Sequence, residues 1–424
     1  MRFKWIHLLL LIVFAFGLVA MPRFLWADTR TKVVFWAALD GEKEAKCAEL
    51  VEKYNKESKV GTTIEFVNFP SRSALREELE HTQSPPDLAL IDTLWQRSLI
   101  DRHAIVPAEE LMDQMGSMIK VVYKMDTFPK VWMRALYSGK AWTVPVFAES
   151  YAITYDKALF TNKGIGKAPQ TWQEVVASGR KLTSPKDKQW GFVIPPNLSV
   201  EELAEIWVAL LEEHGGVLVD PKTRKIVANS KEGKQALQLM VDMIHKHKIS
   251  PSHETSGAIS SAMMLGTPED VQRMQSRGVA FGVAPWPKSK KRVNNLRVEA
   301  IAIMKTTPER QKQAWRFTNW FTEYEVAKDL AFSTYSAPVN KQVWLSPDYL
   351  QFLKAQRPWM QVYIDQFQTA SVCCDAAEYE RMLTILGTHI LSALQNKRSP
   401  SDALDSAVSE MKGIIARGSD GIRG

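Results

Sequence analysis

The sequence predicts an α/β protein whose first part is a parallel sheet, and three observations carry this. Residues 32–92 alternate short apolar runs with helical patterns. The third run is unbroken apolar over residues 88–91 before it ends in the Asp92 carboxylate, which is the mark of a strand buried on both faces. The 424-residue chain is also long enough for two or three domains with ample core.

In order, residues 32–36 (Lys-Val-Val-Phe-Trp) form a short apolar strand. Residues 40–58 form a helix with Asp40 near its start, where a carboxylate suits the dipole, and with Ala45, Ala48, Val51 and Tyr54 or Asn55 along one side. Residues 62–69 alternate and are rich in β-branched side chains, 71–81 read as a helix, and 86–92 as the buried strand. Strand–helix–strand alternation of this kind builds a parallel lobe. Ligands of such sheets bind beyond the carboxyl ends of the strands, so Trp36, Asp40, Asp92 and Trp95 are the first candidate binding groups. Further on, Thr171-Trp-Gln-Glu174 is a capping box that starts a helix. Residues 231–248 set Ala236, Leu237, Met240, Met243, Ile244 and His247 on one 3.6-period face. Thr307-Pro308-Glu309 opens a helix with proline at its first position. Ser399-Pro-Ser-Asp402 caps the last helix, which turns Ala403, Leu404, Ala407, Val408 and Met411 inward.

The N-terminus reads as a secretory leader, residues 1–27. Arg2 and Lys4 precede an apolar run over residues 6–21, and Leu25-Trp26-Ala27 offers a small residue for cleavage. The run has 16 residues, short of the roughly 20 that span a bilayer. No cysteine stands near the cut for lipid attachment. The expected location is an oxidising compartment, the periplasm.

Cleavage removes Arg2, Lys4 and Arg23 and no acid, so 54 basic residues become 51 against 47 acidic ones, a net charge near +4. Only Lys288-Ser-Lys290-Lys291-Arg292 is dense, and it reads as an exposed loop; a nucleic-acid partner is not expected. The three cysteines, Cys47, Cys373 and Cys374, leave at least one thiol unpaired. Cys47 falls within the first helix and packs as a small apolar residue.

The segment 139–183 is the most specific part of the chain. Gly139-Lys-Ala-Trp142 and Val144-Pro-Val146 suggest a turn feeding a strand; Thr154-Tyr-Asp-Lys157 with Phe160 follows, then Pro169-Gln-Thr-Trp-Gln-Glu174. This order resembles the extracellular solute-binding proteins of ABC importers, in the sugar-binding group, with one tyrosine and the asparagine of their Tyr-Tyr-Asn-Lys pattern replaced. The likeness extends to Phe35-Trp36 with Asp40-Gly-Glu42, to Pro86-Asp87 with Asp92 and Trp95, and to Gly215-Gly-Val-Leu-Val-Asp220. It also takes in residues 279–287, 298–304 and 335–341.

The resemblance implies a two-lobed periplasmic binding protein fold of type II, with a ligand cleft between the lobes and a hinge crossed two or three times. It places residues 28–146 and 283–338 in the N-terminal lobe, residues 147–282 and 339–417 in the C-terminal lobe, and a flexible tail over 418–424. It implies a monomer without a cofactor that captures a carbohydrate and delivers it to a membrane permease driven by a cytoplasmic ATPase. The expected ligand-binding residues are Trp36, Asp40, Glu42, Asp92, Trp95, Glu149, Tyr151, Trp286, Glu299 and Tyr335. The carboxylates would accept from hydroxyls, and the aromatics would stack on the apolar face of a sugar ring. Two departures bear on the cargo. Residues 257–277 do not match the expected segment before the return crossing, and Arg297-Val-Glu299 stands where relatives carry Gly-Gly. A glycerol-phosphate-type solute or other polyol therefore stays open beside a sugar.

The chain has no G-x-S-x-G elbow, no H-E-x-x-H and no phosphate-binding G-x-x-x-x-G-K-[ST], so an enzyme is not expected. His245, His247 and His253 lack the spacing that would put them on one helix face for a metal. A periplasmic carbohydrate-processing enzyme and a ligand-sensing partner of a membrane receptor are the readings from other classes.

Overall fold

The computed structural model describes residues 31–58, 61–195, 198–252, 260–371 and 378–420. The leader, His253, Cys373 and Cys374 lie outside the described residues.

The chain opens with β1 (Thr31–Ala37), α1 (Gly41–Glu57), β2 (Thr62–Asn68), α2 (Arg72–His81) and β3 (Leu88–Asp92), the alternation that the sequence predicts. Ser71 caps α2 by accepting from the Ala74 N–H at 3.1 Å. Asp40 stands at the N-cap position of α1, but its side chain makes no capping bond. Next come β4 (Ile105–Val106), α3 (Ser117–Asp126) and β5 (Thr143–Glu149). The chain turns at Ser150 into β6 (Ala152–Asp156), α4 (Trp172–Leu182), α5 (Val200–Glu213) and α6 (Lys231–His245). It continues with β7 (Met263–Gly266), α7 (Pro268–Ser276) and β8 (Phe281–Ala284), all within the stretch that matched no expected segment or just after it. It returns through β9 (Arg297–Met304), α8 (Pro308–Phe321), α9 (Tyr324–Ser333) and β10 (Ala337–Pro338). The last long helices are α10 (Tyr379–Leu394) and α11 (Pro400–Asp420), the latter running past residue 417.

The cap expected at Thr171 forms by half. Thr171 Oγ1 accepts from the Glu174 N–H at 3.2 Å, but the Glu174 carboxylate accepts from the Gln170 N–H at 2.6 Å, one residue earlier than a reciprocal box requires. Complete boxes form at α5, where Ser199 and Glu202 exchange bonds of 3.2 and 2.9 Å, and at α7, where Thr267 and Asp270 do so.

Two sheets organise these elements. The larger has the order β10-β5-β9-β3-β1-β2, with β4 beside β9. Here β1 pairs in parallel with β2 and β3, while β9 runs antiparallel to β3 and β5. The smaller sheet is β7-β6-β8, antiparallel throughout. Separate apolar cores form around them, one holding Phe35, Leu50, Ile301 and Phe317, another Trp172, Trp207, Trp286 and Leu386. A third, with Ala148, Ala152, Val298 and Ala337, fills the region where the chain passes between sheets. Gly387 lets α10 lie directly on the start of α5: a Cβ there would meet the Val200 carbonyl oxygen at 1.9 Å. The result is a two-lobed α/β fold in which the N-terminal turn of α5 is held at the junction of the lobes.

Cys47 is fully buried in α1, and burial, with the Glu299 charge adding, pushes its thiol up to about 12. It packs as the sequence reading expected. His245 bonds the Leu394 carbonyl and His247 contacts Arg180, so the two share no centre. Among the described residues no group of His, Cys, Asp and Glu could hold a metal ion, and no helix is long and apolar enough to cross a membrane.

Candidate functional site: a charge-filled cleft between the lobes

Where the lobes meet, seven charged side chains form a chain of alternating sign. Glu269 of α7 pairs with Lys43 of α1 at 2.7 Å. Lys43 pairs with Glu149 at the end of β5, and Glu149 with Arg297 at the start of β9. Arg297 reaches Glu202 of α5 at 2.9 Å, Glu202 lies 3.6 Å from Arg72 of α2, and Arg72 meets Glu299 of β9 at 3.1 Å. Glu202 serves twice: one carboxylate oxygen caps α5 and the other faces the cleft. Elements of the larger sheet and of the smaller one are thus stitched together by ion pairs. Further contacts run the same way. Arg76 of α2 meets Glu380 of α10 at 2.5 Å, Arg134 meets Glu205 of α5 at 3.2 Å, and Gln272 of α7 donates to Glu42 of α1 at 3.0 Å.

The middle of this ion-pair chain is withdrawn from water, while Arg72 and Glu202 stay partly exposed. Glu149 is 5% exposed, Lys43 and Glu299 are 7% exposed. Burial would raise the Glu149 carboxyl, but Lys43, Arg297 and Arg72 outweigh it and hold it well below the usual carboxylate range. Burial would likewise lower Lys43 and Arg297, yet Glu149 and their other acidic neighbours hold both above their ordinary values. Glu269 goes the other way: burial, with the Glu149 charge adding, pushes it up to about 7. Burial also lifts Glu205 to about 7, against the pull of Arg134, and raises Asp92. The space left between Glu149, Tyr151, Glu202, Glu205, Asn295 and Arg297 is about 10 Å³, room for one water at most. The space between the lobes is thus filled by their own side chains.

The structure brings five of the ten expected residues to this cleft. Glu149 and Glu299 belong to the ion-pair chain. Tyr151 lines the residual space, its N–H donating to Asn295 at 3.1 Å. Asp92 is buried opposite Glu299 in the β3–β9 register and accepts from the Leu94 N–H at 2.9 Å. Trp95 lies half-buried with the Arg76 guanidinium 5.9 Å from its ring. Glu42 and Asp40 lie at the exposed mouth of α1, Glu42 bonded across to Gln272. Trp36 is half-buried edge-on to Phe69 at 5.1 Å.

Two expected residues sit elsewhere. Trp286 is fully buried in the smaller-sheet core, perpendicular to Trp172 at 5.7 Å, so its ring has no face to offer a ligand. Tyr335 is stacked on Trp359 at 6.1 Å with the Arg357 guanidinium 4.1 Å from its ring, and its faces are taken. The sequence reading missed Lys43, Arg134, Glu202, Glu205 and Glu269. Lys43 carried only a weak signal, a lysine in the first turn of a helix where it opposes the dipole. Ser199 with Glu202 and Thr267 with Asp270 carried another, as complete capping boxes that start α5 and α7 beside the cleft.

Known structures share this architecture. A cyclic α-maltosyl-1,6-maltose binding protein from Arthrobacter globiformis aligns with 23% identity over 90% of this chain and 97% of its own, at a TM-score of 0.75. Maltose-bound MalE3 of T. maritima aligns with 21% identity over 90% and 99%, at 0.76. UgpB from Mycobacterium tuberculosis, in complex with glycerophosphocholine, aligns with 16% identity over 92% and 99%, at 0.77. At these identities the likeness establishes the two-lobed fold. Independently, the sequence profile of the bacterial extracellular solute-binding proteins matches residues 41–328. The chain therefore belongs to the bacterial extracellular solute-binding protein family.

Proposed function

We propose that this protein is the periplasmic capture component of an ABC importer, binding a carbohydrate between its lobes and handing it to a membrane permease. It acts as a monomer and performs no chemistry on its cargo. The observation that carries this reading is the cleft itself: buried carboxylates and guanidiniums from both lobes converge with Tyr151 and the half-exposed Trp95. A sugar hydroxyl both donates and accepts, so it satisfies such groups once water is excluded, and Trp95 offers a surface for the C–H face of a ring. The solutes named for the structures above, maltose and a cyclic maltose tetrasaccharide, support a carbohydrate. The ligand residues in this reading are Asp92, Trp95, Glu149, Tyr151 and Glu299, with Trp36, Asp40 and Glu42 at the mouth. The lobes in this reading divide at 28–146 with 283–338 and 147–282 with 339–417, except that residues 147–149 go with the larger sheet through β5, and residues 283–286 with the smaller sheet through β8 and Trp286.

Arg72 and Arg297 favour a second reading, a glycerol-phosphate-type solute, since a guanidinium fork matches a phosphate. One experiment addresses both. The melting temperature is measured against a panel of mono-, di- and oligosaccharides, polyols, glycerophosphodiesters and amino acids. A ligand at one hundred times its Kd adds about 2.7 kcal/mol, an unmistakable rise. A rise with one sugar class, lost in Asp92→Ala and Trp95→Ala, supports the carbohydrate reading. A rise with glycerophosphodiesters alone replaces it with the second. Turnover of a glycoside would overturn both.

A further inference from the structure

A second cavity, of about 390 Å³, lies away from the charged cleft, beneath α3. Ile119 and Val122 of α3 form its roof, Phe147 of β5 and Pro338 of β10 its floor, and Leu330 and Ala331 of α9 one wall. None of these residues takes part in the ion-pair chain. The volume is that of an ordinary small-molecule site, whereas a close-packed interior leaves few voids larger than a water. An apolar cavity of this size gains nothing from water and accepts apolar molecules.

Two independent observations narrow the occupant. Ser336, 3% exposed, lines the cavity, and its Oγ has no hydrogen-bond partner among the described residues. A buried hydroxyl left unpaired is costly, and a ligand atom that bonds it recovers that cost. Three other hydroxyls of the lining are already satisfied: Tyr123 and Thr322 share a bond of 2.7 Å, and Thr334 donates to the Leu330 carbonyl at 2.8 Å. Charge is the second observation. No lysine or arginine lines the cavity, while Asp126 and Glu323 do. An anionic head group would meet no cation there and two like charges. The roof also suits admission of an apolar guest: Met118 is 65% and Val122 51% exposed, and unbranched methionine adapts to irregular shapes.

We propose that this cavity is a second ligand site, taking a neutral apolar molecule that carries one hydroxyl or carbonyl and bonds it to Ser336. The site is independent of solute capture in the cleft, so either assignment stands if the other fails.

The probes are 1-octanol and octanoate, titrated calorimetrically into the purified protein at pH 8. The expected result is saturable one-site binding of 1-octanol, with octanoate at least tenfold weaker. Ser336→Ala should weaken octanol about three- to tenfold, the value of one net hydrogen bond, while leaving the melting temperature of the free protein unchanged or higher. Val122→Asp, at a half-exposed position that tolerates charge, should weaken octanol further. Absence of saturable octanol binding overturns the proposal. Equal binding of octanoate, or octanol binding untouched by both variants, overturns it as well.

Discussion

Replacing Glu149 by glutamine tests whether the cleft is closed in solution. The substitution keeps shape and volume, so no cavity term enters; it removes one charge from the middle of the ion-pair chain. Lys43 is then left with Glu269 alone, and Arg297 with Glu202. Breaking a buried pair by removing one partner costs about 3–5 kcal/mol. The remaining amide oxygen can still accept one bond, so the loss belongs near the lower end, about 3 kcal/mol. The native carboxyl is held well below its ordinary value. Its stabilisation is therefore complete above the unfolded pKa of about 4.3 and is lost only as pH falls through the lower folded pKa. At pH 7 the full difference is visible. The assay is urea unfolding of both proteins at 0.05 and 1 M salt, with Lys32→Ala as control. Lys32 and Glu65 form an exposed pair at 63% and 46% side-chain exposure, worth at most about 1 kcal/mol and screened by salt. The Glu149→Gln loss should persist at 1 M salt. A loss below 1 kcal/mol, or one that vanishes with salt, would refute the buried network and mean an open, solvated cleft.

Two further outcomes follow from the same electrostatics and packing. Glu205, Glu269 and Glu380 are each raised by burial to about 7. Between the ordinary value near 4.3 and about 7 the folded state binds more protons than the unfolded one, so stability should fall as pH rises through that window. Thermal melts from pH 5 to 8 check the sign, and Glu205→Gln should flatten the slope by roughly 1 kcal/mol per pH unit. Trp286→Ala should cost about 3–5 kcal/mol as a fully buried ring is lost. Trp95→Ala should cost far less and instead weaken solute binding about tenfold; equal stability losses in the two variants would undo the distinction drawn between them.

The parallel part of the larger sheet, β1 to β3, was legible because its strands are short apolar runs between helical patterns, a local property of residues 32–92; the antiparallel pairing of its other half, β5, β9 and β10, was not. Helix starts at Ser71, Thr307 and Ser399 were legible for the same reason: a cap involves residues three apart. The cleft was legible only in part. Asp92 and Glu149 end strands, and strand ends of such sheets face ligands. Glu202, Glu205, Glu269 and Arg134 come from helices whose inward face depends on how the lobes meet, which no local pattern encodes. Trp286 and Trp95 are both aromatics near turns in the sequence; one is enclosed by Trp172 and the Gln366 bond to its backbone, the other remains half-open.

The alternating chain also bears on what the cleft can admit. It holds four acids, Glu149, Glu202, Glu269 and Glu299, against three cations, Lys43, Arg72 and Arg297. A neutral polyol inserts between a cation and a carboxylate without altering that balance, since each hydroxyl accepts from one and donates to the other. A phosphate diester brings a further negative charge into a group that already has one acid too many, and must drive a carboxylate out to water or protonate it. Glu269, with its pKa already near 7, is the acid of this chain that takes up a proton most cheaply, and Glu205 in the same cleft, also near 7, would share the uptake. An anionic solute should therefore bind with uptake of a proton and weaken as pH rises above 7, whereas a neutral sugar should bind without proton uptake. Calorimetry in two buffers of different ionisation enthalpy separates the two, and buffer-independent heats for a phosphate diester would contradict the charge count on which the argument rests.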